Sequence, residues 1–305
     1  MSATTPFSKI SIIGLGLIGS SLARAIAATW PNISVTGYDA SNKVRARARG
    51  IGLCTRISDD IGDSVGDADF IVFAVPVGAT HEVATNLIGH VPQDAIISDV
   101  GSSKANVAAI LRGAFPDHAI VPAHPVAGTE SSGPDAGFAS LFRDRWCILT
   151  PDAETPPKAT ARVGAFWSGI GAKVEIMDAQ HHDMVLAITS HLPHLIAYTI
   201  VGTASDLEGV TQSEVIKYSA GGFRDFTRIA ASDPVMWRDV FLSNRDAVLD
   251  MLQRFSEDLS QLQRAIRWGD GDTLHALFTR TRAVRRSIVE QGQDDAAPDF
   301  GRKHD

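Results

Sequence analysis

The stretch that decides the fold is residues 10–19, which read ISIIGLGLIG. A short apolar run ends in a G-x-G-x-x-G sequence, and a run of small residues that favours a helix follows it. The glycine pattern alone is weak, but a strand before it and a helix after it are the context that gives it meaning. Gly14 would permit a tight turn, Gly16 would let a pyrophosphate approach the backbone, and Gly19 would let helix and strand pack closely. The stretch therefore predicts the strand–turn–helix that opens a dinucleotide-binding domain.

Further apolar runs in the first half of the chain are typical of strands covered on both faces. Helical stretches of similar size separate most of them. This alternation predicts a Rossmann-type, mostly parallel sheet with helices on its faces, an α/β fold. The predicted strands, after the one at residues 10–13, are residues 33–38, 70–75, 95–100, 119–123, 147–150 and 173–177.

The second half of the chain shows no strand signal after Met177. A length of 305 residues suits two domains, and we predict a dinucleotide-binding domain at residues 1–178 and an all-helical substrate and dimerisation domain at 179–305. One predicted helix carries an apolar stripe, which packs either on a partner subunit or within its own domain. We favour a homodimer. The stripe consists of Phe241, Val248, Leu252, Phe255, Leu259, Leu262 and Ile266.

The composition argues against several other classes of protein. The formal net charge is −7 and the hydrophobic fraction is 44%, so a globular chain without a nucleic-acid surface is expected. The first residues lack the layout of a signal peptide, and no apolar run approaches the length that crosses a bilayer. Cys54 and Cys147 are the two cysteines, too few for a disulfide framework. We predict a cytoplasmic protein without membrane partners.

Asp39 stands twenty residues after Gly19, at the end of the second predicted strand. A carboxylate there accepts hydrogen bonds from the adenosine ribose and repels a 2′-phosphate, which favours NAD over NADP. The alternative is a glycine turn and a helix-capping aspartate in an unrelated α/β protein. The turn after the strand at residues 70–75 would also face the cofactor. The predicted NAD contacts are Gly14, Gly16, Leu17, Ile18, Gly19, Asp39, Val75 and Pro76.

His124 and Ser102 each follow a predicted strand, so neighbouring strand ends would bring an imidazole and a hydroxyl together above the nicotinamide. A dehydrogenase needs a group that takes the substrate's hydroxyl proton, and histidine suits that task. The alternatives are an ordinary loop histidine and a serine that caps the following helix.

The chain resembles the prephenate/arogenate dehydrogenase family from about residue 8 to about residue 290. That family oxidises prephenate or arogenate with NAD(P), with loss of carbon dioxide, on the way to tyrosine. The resemblance implies that His124 accepts a hydrogen bond from the ring C4 hydroxyl and that Ser102 orients both groups. The motifs that carry it are DVGSSK (99–104), HPVAGTE (124–130), SHLPH (190–194) and GGFRDFTR (221–228).

The same resemblance implies a substrate pocket. Arg228 would bind the ring carboxylate, although an ordinary surface arginine is the alternative. His194 would line the pocket, and Glu130 would sit at its mouth in a polar network with Asp225. Trp237 would help to form the site, from the same subunit or from its partner.

Other interpretations stay open at this point. A β-hydroxyacid dehydrogenase or imine reductase would share the architecture, and an NAD-sensing protein would need no proton acceptor. His181, His182, His191 and His194 suggest a metal site, but no carboxylate or thiol obviously completes a ligand set, so we predict none. Prephenate is favoured over arogenate as the substrate, and the use of both is the alternative.

Overall fold

The computed structural model describes residues 5–129, 131–206 and 221–290. Contacts within the chain divide it into two compact units. Unit 1 comprises Met1–Pro193 and Ala231–Val248, and unit 2 comprises His194–Ala230 and Leu249–Asp305. The domain boundary at residue 178 stays a prediction.

Six parallel strands form the main sheet of unit 1, in the order β3-β2-β1-β4-β5-β6. β1 and β4 are neighbours at the point where the order reverses, which is where open α/β sheets bind ligands. The prediction of a Rossmann-type parallel sheet is confirmed, and only the two-residue β3 was not predicted. The strands are β1 (Lys9–Ile13), β2 (Ser34–Tyr38), β3 (Arg56–Ile57), β4 (Phe70–Phe73), β5 (Ile96–Asp99) and β6 (Ala119–Ile120).

Helices connect these strands, and an aromatic cluster packs against the sheet. Phe7 stacks on Phe70 with ring centroids 4.2 Å apart, and Phe166 contacts both rings edge-on. Trp30 ends the first helix and also packs on Phe166. Burial of such large rings contributes strongly to the stability of the core. The helices are α1 (Leu17–Thr29), α2 (Asn42–Gly50), α3 (Ile61–Val65), α4 (Thr80–Leu87), α5 (Ala105–Ala114) and α6 (Pro157–Gly169).

A second sheet of three strands follows, in the order β7-β8-β9, formed by Ala123–Pro125, Trp146–Leu149 and Lys173–Ile176. β7 runs antiparallel to β8 and pairs His124 with Ile148. The predicted single strand at residues 119–123 is therefore wrong in extent. It divides at Pro122, which has no backbone N–H to donate to a strand ladder. His124 lies within β7 and not beyond the end of a strand.

The next helical segment runs through α7 (Ala179–Leu186), a π-helical turn (Ala187–His191) and α8 (Leu192–Asp206). By length and composition this segment could cross a membrane, contrary to the sequence expectation. That is weak evidence, since core helices of other proteins pass the same test. Its first turns bury His182 and Asp183, which are polar.

The remaining described helices are α9 (Gly221–Thr227), α10 (Pro234–Ser243), α11 (Arg245–Trp268) and α12 (Gly271–Glu290). The predicted stripe does not lie on one helix, because α10 ends at Ser243 and Phe241 belongs to it. Asp233 begins α10 by accepting a hydrogen bond from the Met236 amide. The prediction of a C-terminal helical domain is confirmed.

Candidate active site

The glycine turn joins β1 to α1. Gly14 has φ +100°, and a Cβ there would lie 2.4 Å from the Ala74 carbonyl oxygen. A Cβ on Gly19 would lie 1.9 Å from the Gly14 carbonyl oxygen, whereas nothing lies within 4 Å of one on Gly16. The turn is thus packed behind and open in front. The first amides of α1 point out of the helix there, because a helix leaves its first N–H groups without an internal partner.

Asp39 lies beside this turn, at the end of β2. One carboxylate oxygen accepts a hydrogen bond from the Leu15 amide at 2.9 Å, and the other accepts one from the Ser41 amide at 2.9 Å. Arg45 folds back from α2 and donates to the Asp39 carbonyl oxygen at 2.6 Å. Asp59 pairs with the same guanidinium at 3.2 Å. A cation therefore stands close to the backbone of Asp39, although none adjoins it in sequence.

Val75 and Pro76 follow β4 and lead into a short 3₁₀ turn, Val77–Ala79. Val75 is half-buried and Pro76 is exposed. The Asp239 carboxylate of α10 lies against Gly78 in this turn, 2.4 Å from where a Cβ would stand. The turn is therefore fixed by a helix that comes much later in the chain.

His124 is the centre of a chain of hydrogen bonds in unit 1. Its Nδ1 lies 2.8 Å from Nε2 of His182, and Nδ1 of His182 lies 2.8 Å from Oδ1 of Asp183. Only 8% of His124 is exposed. Burial, with His182 and Lys104 nearby, holds the pKa of His124 well below its usual value. The imidazole is consequently neutral at neutral pH, as a proton acceptor must be.

The Asp183 carboxylate also caps α5. It accepts hydrogen bonds from the amides of Lys104 at 2.7 Å and Ala105 at 2.9 Å. Burial opposes ionisation, but His182 and these amides outweigh it and lower the pKa of Asp183. The positive end of the helix dipole acts in the same direction. Asp183, and not Ser102, is therefore the side chain that caps this helix.

Lys104 and Asp99 form a buried ion pair next to β7. Lys104 Nζ also donates to the Ala123 carbonyl oxygen at 2.7 Å, and Asp99 accepts from the amides of Gly101 at 2.8 Å and Ala123 at 3.3 Å. Burial raises the pKa of Asp99, whereas Lys104 and these two amides favour its ionised form. Burial lowers the pKa of Lys104, and the negative charge of Asp99 opposes that shift. The pair fixes the backbone directly before His124.

The junction between α10 and α11 packs on the same cluster. Asn244 donates to the Asp183 carbonyl oxygen at 2.8 Å and lies 3.0 Å from Nδ1 of His191. Trp237 is buried, with its ring edge-on to His191 at a centroid distance of 6.0 Å. Within the part of the chain that the structure describes, no group of three or more His, Cys, Asp or Glu residues is placed to hold a metal ion.

The comparisons with known proteins agree with this geometry. Residues 22–176 match the family described as prephenate dehydrogenase, nucleotide-binding domain, and residues 178–280 match prephenate dehydrogenase, dimerization domain. The chain belongs to the prephenate dehydrogenase family.

Three relatives in this family illustrate the similarity. Cyclohexadienyl dehydrogenase of Zymomonas mobilis is 48% identical over 93% of this chain and 97% of its own. The crystal structure of prephenate dehydrogenase from A. aeolicus with hydroxyphenyl propionate and NAD+ has a TM-score of 0.86 and 31% identity, over 92% of this chain and 98% of that one. Synechocystis arogenate dehydrogenase has a TM-score of 0.78 and 26% identity, over 92% of this chain and 99% of that one.

Membership of the prephenate dehydrogenase family makes the chain an NAD-dependent dehydrogenase. It rules out the NAD-sensing alternative and removes the reason for a β-hydroxyacid dehydrogenase or imine reductase. The glycine turn fits NAD, because Gly16 leaves open space in front of the first amides of α1. The individual NAD contacts predicted from the sequence stay predictions.

The other predicted site residues are divided between the two units of the chain. Ser102 lies three residues after β5 and is half-buried, in unit 1 with His124 and Trp237. His194, half-buried on α8, Asp225 on α9 and the exposed Arg228 belong to unit 2. Glu130 lies outside the described residues. The substrate contacts assigned to these side chains stay predictions.

Several polar residues of the cluster were not predicted as site residues: His182, Asp183 and Asn244, and also Asp99 and Lys104, which appeared only within a motif. One signal was available for His182, which stands four residues before Leu186 and so shares the apolar face of α7. A histidine on such a face needs a buried partner. The sequence does not show which partner it has, because His124 is 58 residues away.

Proposed function

We propose that this chain oxidises prephenate with NAD and releases carbon dioxide and 4-hydroxyphenylpyruvate, a step of tyrosine biosynthesis. The observation that carries the proposal is the environment of His124. Its Nδ1 is bonded to His182, its pKa is lowered by burial, and its Nε2 forms no hydrogen bond within the described residues. That nitrogen is available to a substrate hydroxyl.

The reaction asks little of the protein beyond alignment and the handling of one proton. When bound, NAD accepts the hydride from C4 of the ring. His124 takes the proton of the C4 hydroxyl, and loss of the C1 carboxylate as carbon dioxide leaves a phenolate, to which His124 returns that proton. A positioned base accelerates such a step by roughly 10²–10⁴-fold. Formation of the aromatic ring supplies the driving force.

The remaining assignments rest on the family resemblance. Ser102 orients the hydroxyl and the imidazole, and Arg228 binds the ring carboxylate. A charge-assisted hydrogen bond of this type contributes about 1.5–3 kcal/mol, so Arg228 acts mainly on substrate binding. His194 and Trp237 line the pocket, and Glu130 interacts with Asp225 at its mouth. The cytoplasmic location stays a prediction from composition.

We also propose that the chain forms a homodimer through its helical region. Support comes from the match of residues 178–280 to a dimerization domain and from exposed apolar side chains on α11 and α12. Ile266 is 68% and Trp268 77% exposed, and Phe278 on the next helix is 56% exposed. Sedimentation should give twice the 32.5 kDa chain mass; a monomer at all concentrations would contradict the proposal.

The experiment that tests the reaction mixes the purified protein with NAD and prephenate and follows NADH by its absorbance. Parallel reactions replace prephenate with arogenate, and NAD with NADP. We expect NADH with prephenate, and carbon dioxide in equal amount. Activity with arogenate alone would show that arogenate, and not prephenate, is the substrate. This outcome is worth testing because one relative is named an arogenate dehydrogenase. No NADH with either substrate would refute the proposal.

A further inference from the structure

The donor and acceptor in each hydrogen bond around His124 can be assigned, beginning at Asp183. This carboxylate accepts from the Lys104 and Ala105 amides, and its lowered pKa keeps it ionised. An ionised carboxylate has no proton to give, so His182 must donate from Nδ1 across the 2.8 Å contact.

The direction then passes to His124. Burial lowers the pKa of His182 despite the nearby carboxylate, so its ring is neutral and carries one proton. Because that proton is on Nδ1, Nε2 of His182 is an acceptor. The 2.8 Å contact between the two rings then requires His124 to donate from its own Nδ1.

We propose that His182 and Asp183 are positioning residues that hold His124 in the Nδ1–H tautomer, with the lone pair of Nε2 directed to the substrate. The proposal rests on the proposed role of His124 as the base. It resembles the logic of other base–orienter arrangements, in which a carboxylate fixes the tautomer of a histidine and stabilises its protonated form. Here a second imidazole stands between the carboxylate and the base.

Contacts with the surrounding structure hold the two ends of this hydrogen-bonded row, Asp183 and His124, in place. Asp183 is fixed by the N-terminus of α5, and its backbone carbonyl oxygen accepts from Asn244 at 2.8 Å. His124 is fixed by β7, where Lys104 binds the preceding carbonyl group. The charged and titratable groups that face the two imidazoles are Asp183, Lys104, Asp99 and His191.

Asp183→Ala is the variant that tests the proposal. It removes the acceptor of Nδ1 of His182, so the proton of His182 is no longer held on Nδ1 and His124 is no longer confined to the Nδ1–H tautomer. We expect turnover to fall by about 10²–10⁴-fold, as when the carboxylate of a catalytic triad is lost, with NAD affinity retained.

Asp178→Ala is the matched control. The Asp178 side chain caps α7 by accepting from the amides of Gln180 at 2.9 Å and His181 at 3.0 Å, and it does not contact either imidazole. The variant loses the same charge and a similar cap at another helix N-terminus. We expect turnover close to that of the unmodified protein.

The deciding measurement is the tautomer of His124, read from ¹⁵N chemical shifts of histidine-labelled protein in complex with NAD. The expected result is the Nδ1–H form alone in the unmodified protein and a share of the Nε2–H form in Asp183→Ala. A turnover loss in Asp183→Ala with His124 still entirely in the Nδ1–H form would overturn the proposal. If His124 shows the expected tautomers but the unmodified protein oxidises no substrate, the proposed function fails and the tautomer assignment stands.

A second pair of variants covers the case in which Asp183→Ala does not fold. In His182→Gln the amide oxygen can accept from His124 while the NH₂ group donates to Asp183, so the direction is kept. His182→Leu offers neither. We expect His182→Gln to retain clearly more turnover than His182→Leu at similar KM for the substrate; equal losses would overturn the proposal.

Discussion

The turn at residues 14–19 and the cluster around His124 belong to the same unit but are built in opposite ways. The turn is formed by backbone atoms, and it depends on the absence of side chains at its glycines. In the cluster, side chains from β5, β7 and α7 bind one another or backbone groups such as the first amides of α5, over separations of up to 79 residues. The difference teaches that a phosphate site can be encoded locally, whereas a buried base needs the whole fold.

His124→Asn should abolish the function of the cluster and leave NAD binding at the glycine turn unchanged. Asparagine cannot take up a proton, so we expect turnover to fall by about 10²–10⁴-fold. NAD should bind as before, because the glycine turn is unchanged. Steady-state kinetics and a titration with NAD measure the two effects separately. Unchanged turnover would refute the role of His124 as the base.

Lys104→Met should act on the stability of the cluster. It leaves the Asp99 carboxylate buried without its cation, and loss of one partner of a buried pair costs about 3–5 kcal/mol. Urea unfolding of the protein without ligand measures the free energy of unfolding. The control is Lys9→Met, which removes a pair with Asp67 whose side chains are 52% and 61% exposed. Exposed pairs contribute about 0–1 kcal/mol.

Equal destabilisation by the two lysine variants would show that the Lys104–Asp99 pair has no special weight. Since Lys104 also binds the carbonyl group before His124, its loss should lower turnover as well. Lys9 has no such contact with the cluster, so Lys9→Met should leave turnover unchanged.

The same contrast explains what could be predicted from the sequence. The strand–turn–helix at residues 10–29 follows from residues that are neighbours in the chain, and so do most strands of the main sheet. The division of residues 119–125 between two sheets depends on pairing with β8, which is distant in sequence. The two-residue β3 is too short to show a periodicity.

The candidate site was likewise predictable from the sequence only in part. The resemblance to a family pointed to His124, but it did not show that His182 bonds to it or that Asp183 caps α5. Those contacts arise only when α7 packs on α5. Arg45 is a further case, because its approach to Asp39 depends on the way α2 folds back on β2.

Asp39→Ala should weaken the binding of NAD at the glycine turn, with a smaller effect than the variants of the cluster. It removes the acceptor of the Leu15 and Ser41 amides and the predicted acceptor of the ribose hydroxyls. Hydrogen bonds to a charged group contribute about 1.5–3 kcal/mol, so we expect NAD to bind about 10–100-fold more weakly. Turnover at saturating NAD should change little, because the cluster around His124 is intact.

The use of NADP by Asp39 variants sharpens this last prediction. Arg45 stands against the Asp39 carbonyl oxygen, so removal of the carboxylate leaves a cation near the predicted place of a 2′-phosphate. We expect Asp39→Ala to narrow the preference for NAD, measured as the ratio of kcat/KM with NAD to that with NADP. Asp39→Asn removes the charge but keeps an acceptor, so it should narrow the preference while it keeps more affinity for NAD. A preference that stays unchanged in both variants would show that selection against NADP does not depend on the charge of Asp39.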